Sequence, residues 1–394
     1  MPWTIGIDAR KIRDFGIGTY VGNLVRGLAR IDEENRYLLL VGSHGKEAVG
    51  PLPDNFQLVA EKAKLYSARE QLTLPWRLWR LGLDLYHATH YVLPAVVPCR
   101  SVVTIHDIIH LLYPEFLPSK LAFFYAQQMI RRSLARGDRI LTVSQNSRSD
   151  LLRYFDVDGR KIEVIYNGVE DVFHRRLAAA DLERWLARLG LQRPYLLFVG
   201  NPKPHKNLDG VIQAYARAQE IHPFEASLVC VGSPREADLK IQQRAETLGV
   251  ADRMQLLGHV AQEALPAIYQ GATLFLFPTL YEGFGLPVVE AMASGTPVIT
   301  SNTSALKEIA EGYAHLVNPL DSEALARAIA SLMADPERRA QLVKLGEKRA
   351  RDFSWDRAAR RTLEVYRSAL TGEPMARTTG DVRASGVWSV GKRQ

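Results

Sequence analysis

Short apolar runs of strand length alternate with helix-prone stretches along most of the chain, and no other feature restricts the fold as much. Thr4-Ile5-Gly6-Ile7-Asp8-Ala9 reads as a first strand, followed by Tyr37–Val41, Phe56–Val59, Asp84–Thr89, Ser101–Asp107, Arg139–Ser144 and Lys161–Tyr166. Lys120–Ala135 and Ser147–Tyr154 are helical stretches between them, Ser147 and Asp150 forming a capping box. A second series begins at Leu196–Gly200 and continues through Ser227–Gly232, Met254–Leu257, Leu274–Phe277 and Pro297–Thr300, with helices at Glu236–Leu248 and Gln262–Gln270. Strands separated by helices join in parallel, so each series predicts an α/β, doubly wound sheet. A length of 394 residues leaves room for two such domains. The polar stretch from Glu170 to Arg193 reads as the linker, which sets the expected domains at 1–175 and 176–354. The last 21 residues, 374–394, are polar and basic and read as a disordered tail.

Composition narrows the class. Apolar and charged fractions of 47% and 24% are those of a soluble globular chain. No N-terminal stretch resembles a signal peptide, and no apolar run approaches the ~18 residues of a membrane span. Cys99 and Cys230 are too few for a disulfide framework or a zinc site, which fits a reducing cytoplasm. The net charge of +7 is uneven: residues 1–180 carry +5 and the tail +3, while the second half is close to neutral. That surplus is no nucleic-acid footprint, but it favours acidic acceptors or an anionic membrane surface. The stretch Leu65–Leu83 interleaves Trp76, Leu78, Trp79 and Leu81 with Arg77 and Arg80. It suits a helix packed on the sheet, an acceptor grip or a membrane interface.

One string carries most of the chemistry: Tyr281-Glu282-Gly283-Phe284-Gly285-Leu286-Pro287-Val288-Val289-Glu290. It lies between the apolar run Leu274–Phe277 and a helix-prone run, with Pro287 expected at the first helical position. Gly283 and Gly285 allow the backbone to approach a ligand closely, and the helix start offers unpaired N–H groups to a diphosphate. Glu282 and Glu290, the latter expected in the first helical turn, would accept hydrogen bonds from vicinal hydroxyls. Phosphate on backbone and hydroxyls on carboxylates describe a nucleotide-sugar pocket. A plain strand–loop–helix connection with solvated acids is the alternative.

Other candidates sit at expected C-terminal strand ends, where open α/β sheets bind ligands. Gly16-Ile17-Gly18 follows the first strand and precedes an amphipathic helix. His106-Asp107 ends another strand; His110 reads as structural and His87 as a weaker cleft candidate. In the second half Lys203, His205 and Lys206 lie in the loop after Gly200, where cations would neutralise a diphosphate leaving group.

The ten-residue string resembles the E-x-G-F-G-L-P-x-x-E signature of the retaining glycosyltransferases of the GT-B type, family 4. The resemblance spans residues 4–370 and implies two Rossmann-like domains facing across a cleft. It implies that the C-terminal domain binds the donor, the N-terminal domain presents the acceptor, and a final helix, 355–371, crosses back to the first domain. Gly16 and Gly18 would close over the donor, and Gly258-His259-Val260 would line the base. Lys206 matches the family's lysine, while Asn201 stands where an arginine is common, so Lys203 or His205 would supply the second charge. By the same resemblance Glu290 holds the ribose, Glu282 and His106 orient the donor sugar, and Asp107 lies near the acceptor. Gly283, Phe284, Gly285 and Leu286 complete the donor loop. The stretch Thr104 to Pro118 is similar to mannosyltransferases that use GDP-mannose, although UDP-sugar enzymes share every residue argued here. The acceptor is then a saccharide or lipid-linked saccharide of a cell-surface polysaccharide, met in the cytoplasm or at the inner face of the membrane. No Asp-x-Asp stands at a plausible metal position, so neither metal nor other cofactor is expected.

Rival readings make different demands. A nucleotide-sugar epimerase would share the phosphate logic but need no acceptor. A dinucleotide oxidoreductase would need G-x-G-x-x-G, and Gly16-Ile17-Gly18-Thr19-Tyr20-Val21 lacks the third glycine. A non-catalytic carbohydrate-binding module leaves Glu282, Glu290 and Lys206 without a purpose.

Overall fold

The computed structural model describes residues 2–42, 45–117, 119–232 and 235–374. Pro118 and the tail beyond Pro374, on which expectations were stated, lie outside the described residues. The first half builds a seven-stranded sheet from Thr4–Asp8 (β1), Arg36–Val41 (β2), Phe56–Ala60 (β3), Leu85–Ala88 (β4), Arg100–Thr104 (β5), Arg139–Thr142 (β6) and Ile162–Val164 (β7). The second builds a six-stranded sheet from Tyr195–Val199 (β8), Ser227–Val231 (β9), Met254–Gly258 (β10), Leu274–Phe277 (β11), Val298–Ser301 (β12) and His315–Val317 (β13). Their orders are β3-β2-β1-β4-β5-β6-β7 and β10-β9-β8-β11-β12-β13. The strand pairs are parallel throughout. Both sheets reverse direction beside their first strand, at β1/β4 and β8/β11, which opens a crevice at the strands' C-terminal ends.

The strands are apolar because both faces are covered. Tyr37 to Val41 and Leu274 to Phe277 are buried without alternation, as a parallel sheet under helices requires. Nine helices matter below: Phe15–Ile31 (α1), Ala68–Arg80 (α2), Lys120–Arg136 (α3), Gln145–Tyr154 (α4), Ala179–Arg188 (α5), Leu208–Ile221 (α6), Leu286–Ala293 (α7), Ser304–Ala310 (α8) and Trp355–Thr371 (α9). α1 and α9 share one face of the first sheet, where Val21, Leu24 and Leu28 join Ala358, Val365 and Tyr366 in a single cluster. Gly27 permits the crossing, since a Cβ there would stand 2.7 Å from that of Ala359. α2, α3 and α4 cover the opposite face through Leu78, Ile130 and Leu151.

Chain exit and return run side by side. Val169 pairs with Ser354 in an isolated parallel bridge, and Val169 N donates to Phe353 O at 3.2 Å. A Cβ on Gly168 would meet Trp355 N at 2.1 Å, so only glycine lets the two crossovers touch. α5, expected within a linker, instead buries Leu186 among Tyr195 and Leu274 and belongs to the second core.

Several local expectations are corrected. β5 ends at Thr104, three residues before Asp107, so His106 and Asp107 stand on the loop beyond it. Gly16 and Gly18 lie inside the first turn of α1, not in a loop before it. Gly285 is the N-cap of α7; Pro287 is its second residue, and Glu290 falls in its second turn. The cap of α4 is Ser144, whose side chain accepts from Ser147 N, so Ser147 is the third helical residue. Leu65–Leu83 does contain a sheet-packed helix, which buries Leu74 and Leu78 while Trp76 and Trp79 face outward.

Candidate active site

The loop from β11 to α7 crosses the crevice at its narrowest point. Gly285 adopts φ 104°, and a Cβ there would lie 2.4 Å from Leu306 Cδ2. Only glycine fits that left-handed, crowded position. Gly283 faces the first half: its Cβ would come within 2.7 Å of His106 O and 2.9 Å of Asp107 Oδ2. Ser147 Oγ bridges the same junction, 2.9 Å from His106 O and 3.3 Å from Gly283 O.

Beside this loop runs the β8–α6 connection. Asn207, at φ 58°, anchors it by donating its side-chain amide to Pro278 O at 3.0 Å and Pro319 O at 2.8 Å. Leu280 N donates to His205 O at 2.8 Å and ties the two loops together. Lys206 Nζ thereby reaches Glu282 Oε1 at 2.6 Å and sits over the Phe277 ring. Burial, then the charges of Lys206, Lys203 and His110, push the His205 imidazole down to about 4. His205 is therefore neutral near pH 7, and its Nδ1 is buried without a partner.

Glu290 is less exposed than a helix-surface acid. Its Oε2 accepts from Tyr269 OH at 2.9 Å, and burial pushes the carboxyl up to about 7. A group poised between acid and carboxylate can both donate to and accept from a diol.

On the facing side, His106 Nε2 lies 3.1 Å from Thr89 O. A carbonyl only accepts, so Nε2 carries the proton and Nδ1 keeps the lone pair. Burial holds this imidazole down at about 4, and Tyr20 meets its ring edge-on at 4.7 Å. Asp107 Oδ1 accepts from Ile109 N at 3.0 Å and starts the single turn Ile109–Leu112. The structure brings His106, Asp107, Glu282 and Lys206 to one junction.

Other expected residues part from it. Phe284 is buried against Phe353, leaving only its backbone for a ligand. Leu286 packs on the cores of both halves. Gly16 has open space at its Cβ position, whereas a Cβ on Gly18 would meet Ile12 O at 2.5 Å, a packing role. His87 is a core residue, bonded to Tyr366 OH at 2.6 Å and Thr104 Oγ1 at 2.8 Å. His259 stands across from Phe15, with 6.4 Å between rings.

Some residues escaped the sequence reading. Glu308 on α8 accepts from Gln145 N at 2.9 Å, Asn146 N at 3.0 Å and Tyr166 OH at 2.6 Å, so the second half satisfies the N-terminus of a first-half helix. Tyr281 OH donates across the halves to Asp150 Oδ2 at 2.7 Å. His110, read as structural, is half-buried; burial lowers its imidazole below the usual range, opposed by Asp107 and helped by Lys203 and Lys11. No spacing signals partners 131 to 163 residues apart; Lys11 alone had a cue, its place after the first strand.

Among the described residues Asp8, Glu70 and His90 come near metal-ligating geometry. Arg10 occupies that space, 2.5 Å from Asp8 and 2.6 Å from Glu70. Burial would raise Asp8, but the guanidinium holds its carboxyl well below the usual range. The donor set is already neutralised and does not fit a cation. A separate cavity of about 1100 Å³ opens at the crossover between Arg26, Arg175, Arg351 and Trp355 and contains none of the junction residues.

Residues 182–349 match the sequence model described as "Glycosyl transferases group 1", and residues 16–173 that of "Glycosyltransferase Family 4". The chain is 28% identical to an O-antigen chain mannosyltransferase B of Escherichia coli, over 89% of this chain and 96% of that protein. It is 33% identical to a D-inositol 3-phosphate glycosyltransferase of Salinispora tropica, over 60% of this chain and 52% of that one. Its fold superposes on a sucrose-phosphate synthase of Thermosynechococcus elongatus with TM-score 0.76 and 22% identity, covering 94% of this chain and 100% of that one. With both halves matched, and two parallel sheets meeting at the Gly283 junction, the chain belongs to the group 1, family 4 glycosyltransferases of GT-B architecture.

Proposed function

We propose that this enzyme transfers a hexose, mannose from GDP-mannose, to a saccharide or lipid-linked saccharide of a cell-surface polysaccharide, with retention of anomeric configuration. The carrying observation is the junction at Gly283, which sets Lys206 and Glu282 against His106 and Asp107. In this reading residues 176–354 hold the donor, while residues 1–175 with helix 355–371 present the acceptor. The bond from the anomeric carbon to the diphosphate oxygen breaks, and the diphosphate leaves with the electron pair. Lys206, Lys203 and the amides around Gly283 and Gly285 stabilise that developing charge, the kind of term that dominates such reactions. Lys206 exchanges Glu282 for phosphate, which frees Glu282 for the sugar hydroxyls. Neutral His106 offers Nδ1 to the same sugar, Glu290 holds the ribose, and Gly16 lines the mouth. The acceptor oxygen bonds to the anomeric carbon and passes its proton to an oxygen of the departing diphosphate. Side-chain cations take the place of a metal, so transfer should survive EDTA.

Support for mannose comes from the stretch after Thr104 and from the mannosyltransferase relative. A UDP-sugar donor is the second reading, since a relative with a different named product matches the chain as well. We further propose that the enzyme works in the cytoplasm, in peripheral contact with an anionic membrane. A thermal-shift comparison of GDP, UDP, ADP and NAD tests the donor, because a ligand binding only the native state adds about 2.7 kcal/mol at a hundredfold excess over Kd. GDP alone should raise the melting temperature. UDP alone would change the donor and keep the reaction class, and NAD alone would overturn the reading. A Glu282→Ala variant with full transfer activity would sink the site assignment.

A further inference from the structure

Two helices of the first half present side chains to solvent that a water-facing surface does not need. Leu72, Trp76 and Trp79, spaced i, i+4, i+7 on α2, are exposed at 78%, 55% and 68%. Leu121 and Phe124, in the first two turns of α3, are exposed at 79% and 58%. The helices cover the same sheet face, where Leu74 and Leu78 of α2 and Ala126 and Ile130 of α3 join one buried cluster. Each follows a strand in a parallel sheet, so both begin at the crevice side, which places Leu72, Leu121 and Phe124 toward that rim.

The charge on this face has one sign. Arg69, Arg80, Lys120, Arg131, Arg132 and Arg136 are exposed. Glu70 is the only acid on either helix, and it is buried against Arg10. Arg80 stacks over the Trp76 ring at 4.8 Å, which extends a basic edge beside the indole. Indoles with aliphatic neighbours and a basic rim suit the headgroup layer of a bilayer. A protein partner with an apolar patch would not call for six exposed cations, and a polyanion would not call for two exposed tryptophans.

We infer that α2 and α3 form a docking face for an anionic lipid bilayer, Trp76, Trp79, Leu121 and Phe124 entering the headgroup layer while the arginines meet lipid phosphates. This deepens the peripheral-contact reading above and rests on it for its purpose: the crevice rim comes to the membrane surface, where a lipid-linked acceptor would be. Because each basic residue at such a surface contributes about fivefold in binding, the preference for anionic over neutral lipid is more than roughly tenfold.

The test is flotation of the full chain with phosphatidylcholine vesicles, with and without about 30% phosphatidylglycerol. The expected result is binding to the anionic vesicles, a blue shift in tryptophan emission, and at least about tenfold weaker binding by W76S/W79S with an unchanged melting temperature. R131Q/R132Q should lose the lipid-charge preference while keeping its fold. Unaltered binding by both variants would overturn the proposal. So would a chain that ignores vesicles and instead forms a dimer broken by W76S/W79S, which would make a second copy the occupant. Transfer to a soluble saccharide should be unaffected in W76S/W79S. Vesicle binding without any glycosyl transfer would leave the docking face standing and remove the transfer reading.

Discussion

Removing the Glu308 carboxylate should loosen the two halves without unfolding either. Its three bonds reach Gln145 N and Asn146 N at the start of α4, and Tyr166 OH near the crossover. Hydrogen bonds to a charged group contribute about 1.5–3 kcal/mol each, but these share one carboxylate and face a partly wet crevice. In Glu308→Ala the orphaned amides regain water once the halves part, so their desolvation cost vanishes in the open state. The closed arrangement should therefore lose about 2–4 kcal/mol relative to the open one, a shift of roughly thirtyfold to several hundredfold in their ratio. Small-angle scattering should show a larger radius of gyration for the variant in the absence of ligand. In transfer assays the donor KM should rise, because binding must now drive closure. Glu308→Gln, which keeps one acceptor oxygen, should fall between. A variant with unchanged scattering and unchanged KM would refute the argument, as would a fall in melting temperature large enough to absorb the whole effect.

Four further outcomes follow. Lys206→Ala should lower kcat by about 10²–10³, the scale for loss of one preorganised charge-stabilising group, and leave the melting temperature nearly unchanged; a drop below threefold in kinetic assays would remove Lys206 from the leaving-group role. Glu290 has a folded value of about 7 against 4.5 for the free side chain, so the folded state holds its proton longer. Stability from this group is present below about pH 4.5 and lost as pH rises through 7, and Glu290→Gln should flatten that fall in melts across the interval. Gly285→Ala, forced to φ 104° and into Leu306, should cost about 1–3 kcal/mol or more and be seen in denaturant melts. Gly16→Ala, in helical backbone with open space around it, should be neutral to stabilising by up to about 1 kcal/mol.

What the sequence made legible divides along a physical line. The strand runs announce themselves because a parallel sheet buried on both faces needs uninterrupted apolar residues, and Leu274–Phe277 is such a run. The β11–α7 loop is legible because crowded or left-handed backbone needs glycine at set positions, although the crowding at Gly283 and Gly285 comes from His106, Asp107 and Leu306 of the chain itself. Boundaries were less readable: β5 stops at Thr104 although apolar Ile105 and Ile108 continue the pattern, because past a last bond from Ile105 N to Leu141 O the chain leaves the sheet and both side chains are buried by tertiary packing. Phe284 misled for the opposite reason. It stands inside the string read as donor-binding, yet its ring fills the seam beside Phe353 where the chain returns. Least legible were interactions between the halves. Glu308 and Tyr281 look like any helix acid or loop tyrosine, and their partners lie more than a hundred residues away. The closed geometry of the crevice is decided by those contacts, while the chemistry it encloses is written locally. Substitutions at Glu308 or Tyr281 should therefore change how the site assembles, and substitutions at Lys206 or Glu282 what it does once assembled. Pairing Glu308→Ala with Lys206→Ala checks this: effects that enter different steps should add in free energy, with a coupling below about 0.5 kcal/mol in kcat/KM. A strong coupling would mean that Lys206 is itself positioned by closure, and the separation between assembly and chemistry would fail.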